Sequence, residues 1–350
     1  MANPAKTAPM GENRAVPARP IPARSLTAVA LALSVLVTAC GGGSATASPA
    51  ATPTLMPTAT ILATATASAI ASPPPAPTAS PTPGSGLPDF SHVYVIIMEN
   101  KEYGSIVGSS AAPYLNSLIA RYGLATQLYA ETHPSEPNYI ALTSGGLQGT
   151  DSDGTYNLAV PNLFGQVEAS GRTWHVYAQG YPGNCFKTFQ AGAVADGPGA
   201  VGDYVRKHNP AMSYTSISGN PTECARITKL AGFDPAAADF EMIIPNEIND
   251  MHSSSTEAGD AFLKVFVPEI IDSPAFANSV LFITWDEGSD SDIQGGGGHI
   301  ATIVVSPGMT PGSRFTGAAN HYSILRTIEL AWGMPLLGGA KTASTIALPY

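Results

Sequence analysis

Glu99-Asn100 and Asp286-Glu287 place three carboxylates and one amide oxygen directly after two apolar runs, residues 92–98 and 280–285. Oxygen donors of this kind suit a hard or borderline divalent cation. Either pair alone fits equally an acid capping a following helix. Two pairs, each delivered by the end of a different strand, favour one shared metal site. A second constellation is His133-Pro134-Ser135-Glu136-Pro137-Asn138-Tyr139, followed by the apolar residues 140–142. If a helix opens there, Ser135 stands at its N-terminus, where the dipole stabilises an alkoxide or a bound phosphate. Taken alone, the segment reads first as a serine N-cap; beside a metal, whose charge lowers the hydroxyl pKa, the serine becomes a nucleophile.

Histidines complete the set. His252 lies in Asn249-Asp250-Met251-His252, His299 follows the glycine run 295–298, and His321 lies in Asn320-His321-Tyr322-Ser323. A histidine can bind a phosphoryl oxygen as imidazolium, ligate metal when neutral, or protonate a leaving alkoxide. His252 and His299 rank above His321 because they flank the Asp286-Glu287 pair in sequence; for His321 a place at a helix start with Asn320 is an equal reading. Three other motifs fail. Residues 286–292 match no register of an EF-hand, the glycine run lacks the Lys-Ser/Thr of a P-loop, and no Gly-x-Ser-x-Gly elbow occurs.

Something must bring these residues together. Apolar, β-branched runs at 92–98, 173–178, 240–244, 280–285 and 300–305 predict strands, and the spacing predicts helices over 113–122, 163–169, 261–271 and 322–331. Such alternation implies an α/β fold with a mostly parallel sheet covered on both faces. Ligands then collect beyond the carboxyl ends of the strands. The ends deliver Glu99-Asn100, Pro245-Asn246 and Asp286-Glu287. Residues 178–239, rich in Gly, Pro and Asn, predict a long insertion packed over one edge.

The first 88 of the 350 residues differ from the rest. Lys6, Arg14, Arg19 and Arg24 precede an uncharged apolar run, 25–39, too short to span a membrane, which ends in Val37-Thr38-Ala39-Cys40. These residues resemble a bacterial lipobox. They imply a lipoprotein signal peptide over 1–40, acylation of Cys40, and export to the outer face of the cell membrane or the periplasm; an ordinary signal peptide is the alternative. Residues 41–88 carry no charged or aromatic side chain and read as a disordered Ala/Thr/Ser/Pro tether. The catalytic domain is then 89–350. Setting aside the four leader cations and Glu12 from the 16 basic and 26 acidic side chains leaves 12 against 25. Such an acidic surface argues against a nucleic-acid partner. Cys185 and Cys224 are expected to be bridged in an oxidising compartment, two free buried thiols being the alternative.

Together with Lys207-His208-Asn209-Pro210 and Trp285-Asp286-Glu287-Gly288, the segments quoted above resemble the phosphoesterase family of acid phosphatases and phospholipases C, within the alkaline phosphatase superfamily. The resemblance covers about residues 91–336. It implies an alkaline phosphatase-like three-layer sandwich and hydrolysis of phosphate esters through a phosphoserine intermediate. It also implies a divalent metal of open identity and number, held by Glu99, Asn100, Ser135, Asp286 and Glu287, with Ser135 the nucleophile. His252 and His299 are assigned to phosphate binding or leaving-group protonation. Asn138, Asp250 and His133 are assigned to the substrate, His133 with the alternative of shaping the loop alone. Classical alkaline phosphatases hold two zinc ions with several His ligands; the residues here make one oxygen-rich site. The competing readings are a non-catalytic surface lipoprotein on the same fold, and a sulfatase or phosphodiesterase of the superfamily.

Overall fold

A computed structural model describes residues 86–347. The expected signal peptide, Cys40 and the expected tether up to residue 85 lie outside the described residues.

Among the described residues ten strands follow in chain order: β1 His92–Met98, β2 Gly123–Tyr129, β3 Trp174–Ala178, β4 Gln190–Val194, β5 Gly202–Val205, β6 Ile227–Thr228, β7 Phe240–Ile244, β8 Ser279–Trp285, β9 His299–Val305 and β10 Ser313–Phe315. Eight of them form one sheet in the order β10-β2-β9-β8-β1-β7-β3-β6, and β4 pairs with β5 separately. Within the large sheet only the pairings of β9, with β8 and with β2, are antiparallel; the others are parallel. The expected mostly parallel α/β sheet is therefore present. Every residue of β7 and β8, and all of β1 except His92, is buried. Side chains alternate between the two faces of a strand, so burial at every position means that both faces are covered. Helix Pro113–Arg121 packs with Thr256–Ile271, and Ser135–Ser144 packs with His321–Ala331 and Leu163–Ala169.

The five expected strands and four expected helices are present, with ends moved by a few residues, most at the helix Thr256–Ile271, whose N-cap Ser255 accepts from the Ala258 N–H. Strand β2 was not expected. Its sequence GLATQLY has neither the aliphatic run of a central strand nor strict alternation, and Thr126 and Gln127 break its burial. The 178–239 insertion also does more than cover an edge: it contributes β6, the last strand of the sheet beside β3. The Cys185–Cys224 disulfide, at 2.05 Å, closes most of this insertion.

Candidate active site

The carboxyl ends of β1 and β8 lie side by side, with Met98 paired to Trp285. The two donor pairs that follow are therefore neighbours. Asn100 adopts a left-handed backbone (φ 44°), a conformation that asparagine tolerates better than most residues. Its backbone N–H donates to Asp286 Oδ1 at 3.1 Å and its Nδ2 to Glu287 Oε1 at 2.7 Å. Glu99, Asp286 and Glu287 are all buried.

Ser135 begins the Ser135–Ser144 helix, all ten residues of which are buried. Its Oγ lies 3.1 Å from Glu99 Oε2 and 3.0 Å from Glu287 Oε1. One hydroxyl proton cannot serve two carboxylates at once, so the arrangement is short of positive charge or protons. The helix contributes its dipole more than its donors: the Glu136 N–H is taken by Asp153 Oδ1 at 3.0 Å, and Pro137 has none.

The loop before Ser135 is held from two sides. His133 reaches Glu287 Oε2 through Nδ1 at 2.5 Å and the Asp292 carbonyl through Nε2 at 2.9 Å. The glycine run lies flat against the same loop: Gly297 N–H donates to the Ala130 carbonyl at 3.0 Å, and a Cβ at Gly297 would stand 2.2 Å from the Thr132 oxygen. Glycine here serves close backbone approach, not phosphate cradling.

Electrostatics mark the same centre. Burial, then Asp286 and Asp250, raise the Glu99 pKa well above the carboxylate range. Burial, then Asp286, push Glu287 up to about 7, against the opposing hydrogen bonds of His133 and Ser135. Burial raises Asp286 and Asp250 in the same direction. Several acids this close cannot all ionise unless a cation joins them. Among the described residues no group of three or more His, Cys, Asp or Glu stands as a ready-made metal cluster. The fit to a metal rests on two buried oxygens without hydrogen-bond partners, Asp286 Oδ2 and Asn100 Oδ1, beside the crowded carboxylates. These donors suit a hard divalent cation.

The histidines separate by position. His252 is exposed; its N–H donates to Asp250 Oδ1 at 2.7 Å, and its ring lies 5.7 Å from that of His208. His299 stacks between Tyr103 and Tyr129, its Nε2 against the Thr126 carbonyl at 3.0 Å, and no hydrogen bond among the described residues joins it to Ser135 or the carboxylates. Asn138 turns inward: its Oδ1 accepts from the Glu131 and Thr132 N–H groups and its Nδ2 donates to the Thr132 and Pro134 carbonyls, so it braces the loop. Asp250 is buried beside His208.

Two histidines stand closer to the centre than their sequence ranking implied. His208 is buried with its ring nitrogens 3.1 Å from Glu99 Oε1 and 3.3 Å from Asp250 Oδ2, at angles that make neither a hydrogen bond. Burial, then Lys207 and His252, hold its pKa well below normal. Tyr139 O–H donates to the same Glu99 oxygen. His321 bonds Glu131 Oε2 at 2.5 Å and the Trp285 carbonyl at 2.9 Å, which fixes the backbone just before Asp286. Burial opposes its charge, but Glu131, the Trp285 carbonyl and Asp286 together outweigh burial and raise its pKa. Lys207-His208 lay in a quoted segment; its chemistry was hidden because the segment is irregular and its partners, Glu99 and Asp250, are distant in sequence.

A model of the phosphoesterase family matches residues 108–335. The chain is 32% identical over 269 residues to a phosphatidylinositol-3-phosphatase of Mycobacterium tuberculosis, covering 75% of this chain and 83% of that one. A probable acid phosphatase of Kluyveromyces lactis is 28% identical over 71% of this chain, and an acid phosphatase of Aspergillus fumigatus is 26% identical over 71%. This chain spans 60% and 56% of those two fungal proteins. Among solved structures, the lipoteichoic acid synthase LtaP of Listeria monocytogenes has a TM-score of 0.51 at 9% identity, over 77% of this chain and 78% of that one, a likeness of fold alone. The chain therefore belongs to the phosphoesterase family, as a hydrolase of phosphate esters.

Proposed function

We propose that the chain hydrolyses phosphomonoesters in two displacements at Ser135. The observation that carries this reading is the Ser135 hydroxyl set 3.0–3.1 Å from two buried carboxylates at the start of a helix. Asp286, Glu287, Asn100 and Glu99 would hold a divalent cation, whose charge would neutralise these acids, lower the Ser135 hydroxyl pKa and offset charge on the phosphoryl oxygens. Ser135 Oγ gives up its proton toward Glu99 or Glu287 and bonds to phosphorus as the ester P–O bond breaks. The leaving oxygen takes a proton, for which the exposed His252 at the edge of the site is the candidate donor. Water then attacks the phosphoserine, its oxygen bonding to phosphorus as the Oγ–P bond breaks, and Ser135 regains a proton.

His133 holds Glu287 in place and Tyr139 holds Glu99, with His208 packed beside it. Asn138 and His299 take no direct part in this reading: the first braces the loop and the second is stacked between tyrosines. The mycobacterial relative suggests a phosphorylated lipid headgroup as one substrate, and the fungal relatives suggest small soluble monoesters. Acid quenching during turnover of p-nitrophenyl phosphate should leave a phosphate adduct on the peptide bearing Ser135. Full turnover by Ser135→Ala, with no such adduct in the native chain, would overturn the mechanism. Monoesters, diesters and sulfate esters run in parallel would define the substrate class.

Export with acylation at Cys40 is part of the same reading. It is supported by the lipobox-like sequence and by the Cys185–Cys224 disulfide, a bond typical of oxidising compartments. Incorporated acyl label should vanish in Cys40→Ser.

A further inference from the structure

Lys101 directly follows the donor pair Glu99-Asn100 and takes no part in the proposed chemistry. Half-buried, it donates through Nζ to the Met251 carbonyl at 2.7 Å, across 150 residues of chain. No backbone N–H among the described residues donates to that carbonyl. Met251 is buried and adopts φ 83°, a left-handed backbone that a side chain of its size rarely takes. Its side chain packs on the helix Thr256–Ile271, where a Cβ at Gly259 would stand 2.3 Å from Met251 Cγ. Strained backbone of this kind persists only where the contacts around it over-determine it.

Those contacts fall on a single peptide. The Met251 carbonyl and the His252 N–H share one plane, and in this trans peptide they point in opposite directions. One end accepts from Lys101 Nζ; the other donates to Asp250 Oδ1 at 2.7 Å. Asp250 is itself fixed beside the end of β1, its carbonyl accepting from the Glu99 N–H at 2.8 Å and its N–H donating to the Asn246 carbonyl at 2.9 Å. The backbone before Met251 is therefore anchored, and the plane after it is held by two side chains. Without the Lys101 donor one tie remains, and the plane can turn toward a negative φ at Met251. His252 is the side chain that such a turn carries with it. The hydrogen bond and ion pair of its ring stay within residues 247–253, to Ser253 Oγ at 3.1 Å and Glu247 Oε2 at 3.7 Å, so the local backbone decides where the ring points.

We propose that Lys101 is a positioning residue for leaving-group protonation: by bonding the Met251 carbonyl it fixes the turn that presents His252 to the ester oxygen. The inference rests on the proposed role of His252 as proton donor. Lys101 also lies within the field of Asp250, Glu102, Glu99 and Asp286, so a general charge effect on the site is the competing role.

The test uses the full chain and compares kcat/KM on β-glycerophosphate, whose alkoxide needs a proton to leave, with kcat/KM on p-nitrophenyl phosphate, whose phenolate leaves without one. This quantity reports the first displacement, in which the leaving group departs. His252→Ala should lower the ratio of the two about 10²–10³-fold and Lys101→Met about 10–100-fold, the scales of a donor removed and of a donor misplaced by about 1 Å. The double variant should match His252→Ala, because both changes remove the same step. Lys101→Gln, one bond shorter than lysine, is read in the same way if the methionine variant does not fold. An unchanged ratio in the Lys101 variant, even with both rates lowered, beside a lowered ratio in His252→Ala overturns the inference and leaves the role of His252 standing. An unchanged ratio in His252→Ala overturns that role and the inference with it. A further fall in the double variant also overturns the inference, since Lys101 would then act elsewhere than through His252.

Discussion

The domain buries acids in two different ways. At the carboxyl ends of β1 and β8, Glu99, Asp286 and Glu287 crowd around Ser135, and Asp286 raises the pKa of both Glu99 and Glu287 on top of burial. Near the start of β7, Glu241 is buried; burial, its main cause, pushes it up to about 8, with a smaller push from Asp234, and its Oε1 accepts from the Ala238 N–H. Glu329, in the helix His321–Ala331, is similar: burial pushes it up to about 8, and it accepts from the Leu337 N–H. A lone buried acid relieves its burial by keeping its proton. A cluster surrounding a hydroxyl is relieved better by a shared cation. The first arrangement serves the fold, and the second serves chemistry.

That contrast can be broken most severely at the nucleophile. Ser135→Ala should lower kcat at least about 10⁴-fold with an unchanged melting temperature, since removal of a nucleophile abolishes the covalent path; steady-state kinetics with calorimetry decide it. Asp286→Asn comes next. It should cost about 10³-fold in activity and abolish the rise in melting temperature that divalent cations give the native chain, whereas Glu241→Gln should leave both that rise and kcat within about twofold of native. Equal cation responses in the two variants would erase the distinction. Gly297→Ala tests whether the carboxylates alone suffice. Its Cβ would press on the Thr132 oxygen at 2.2 Å, displace the loop leading to Ser135, and lower kcat by about 10–100-fold while leaving the protein folded.

The smallest effect lies with the lone acids and is read by pH. Folded Glu241 keeps its proton up to about 8, whereas its ordinary value is 4.5. Between these values the folded chain binds more protons than the unfolded one, so stability is full below about 4.5 and falls as pH rises toward 8. Glutamine imitates the protonated acid. Glu241→Gln should therefore raise the melting temperature by about 3–5 °C at pH 8 and change it little at pH 4.5, as differential scanning calorimetry would show.

Much of this was legible in the chain itself. The aliphatic runs of β1, β7 and β8 announce strands buried on both faces, and the acids that directly follow β1 and β8 must emerge at a sheet edge, because backbone direction carries them there. The segment from His133 to Tyr139 placed a serine at a helix start by the same local logic. The roles of the histidines were not legible. His252 and His299 flank Asp286-Glu287 in sequence, but only His252 lies beside the site; His299 is drawn between Tyr103 and Tyr129. His208 reaches Glu99 only because the irregular insertion folds back across the sheet end, and Asn138 spends its amide on its own loop.

By itself, then, the sequence determined strands β1, β3, β7, β8 and β9, the acids that follow β1 and β8, the serine at a helix start, and the family to which those motifs point, since each depends on neighbours a few residues away. Only the tertiary structure decided which histidines meet the acids and which oxygens remain unpartnered. Those depend on contacts between segments distant in the chain, and burial, the physical quantity that shifts the acids' charge, exists only once those segments have packed.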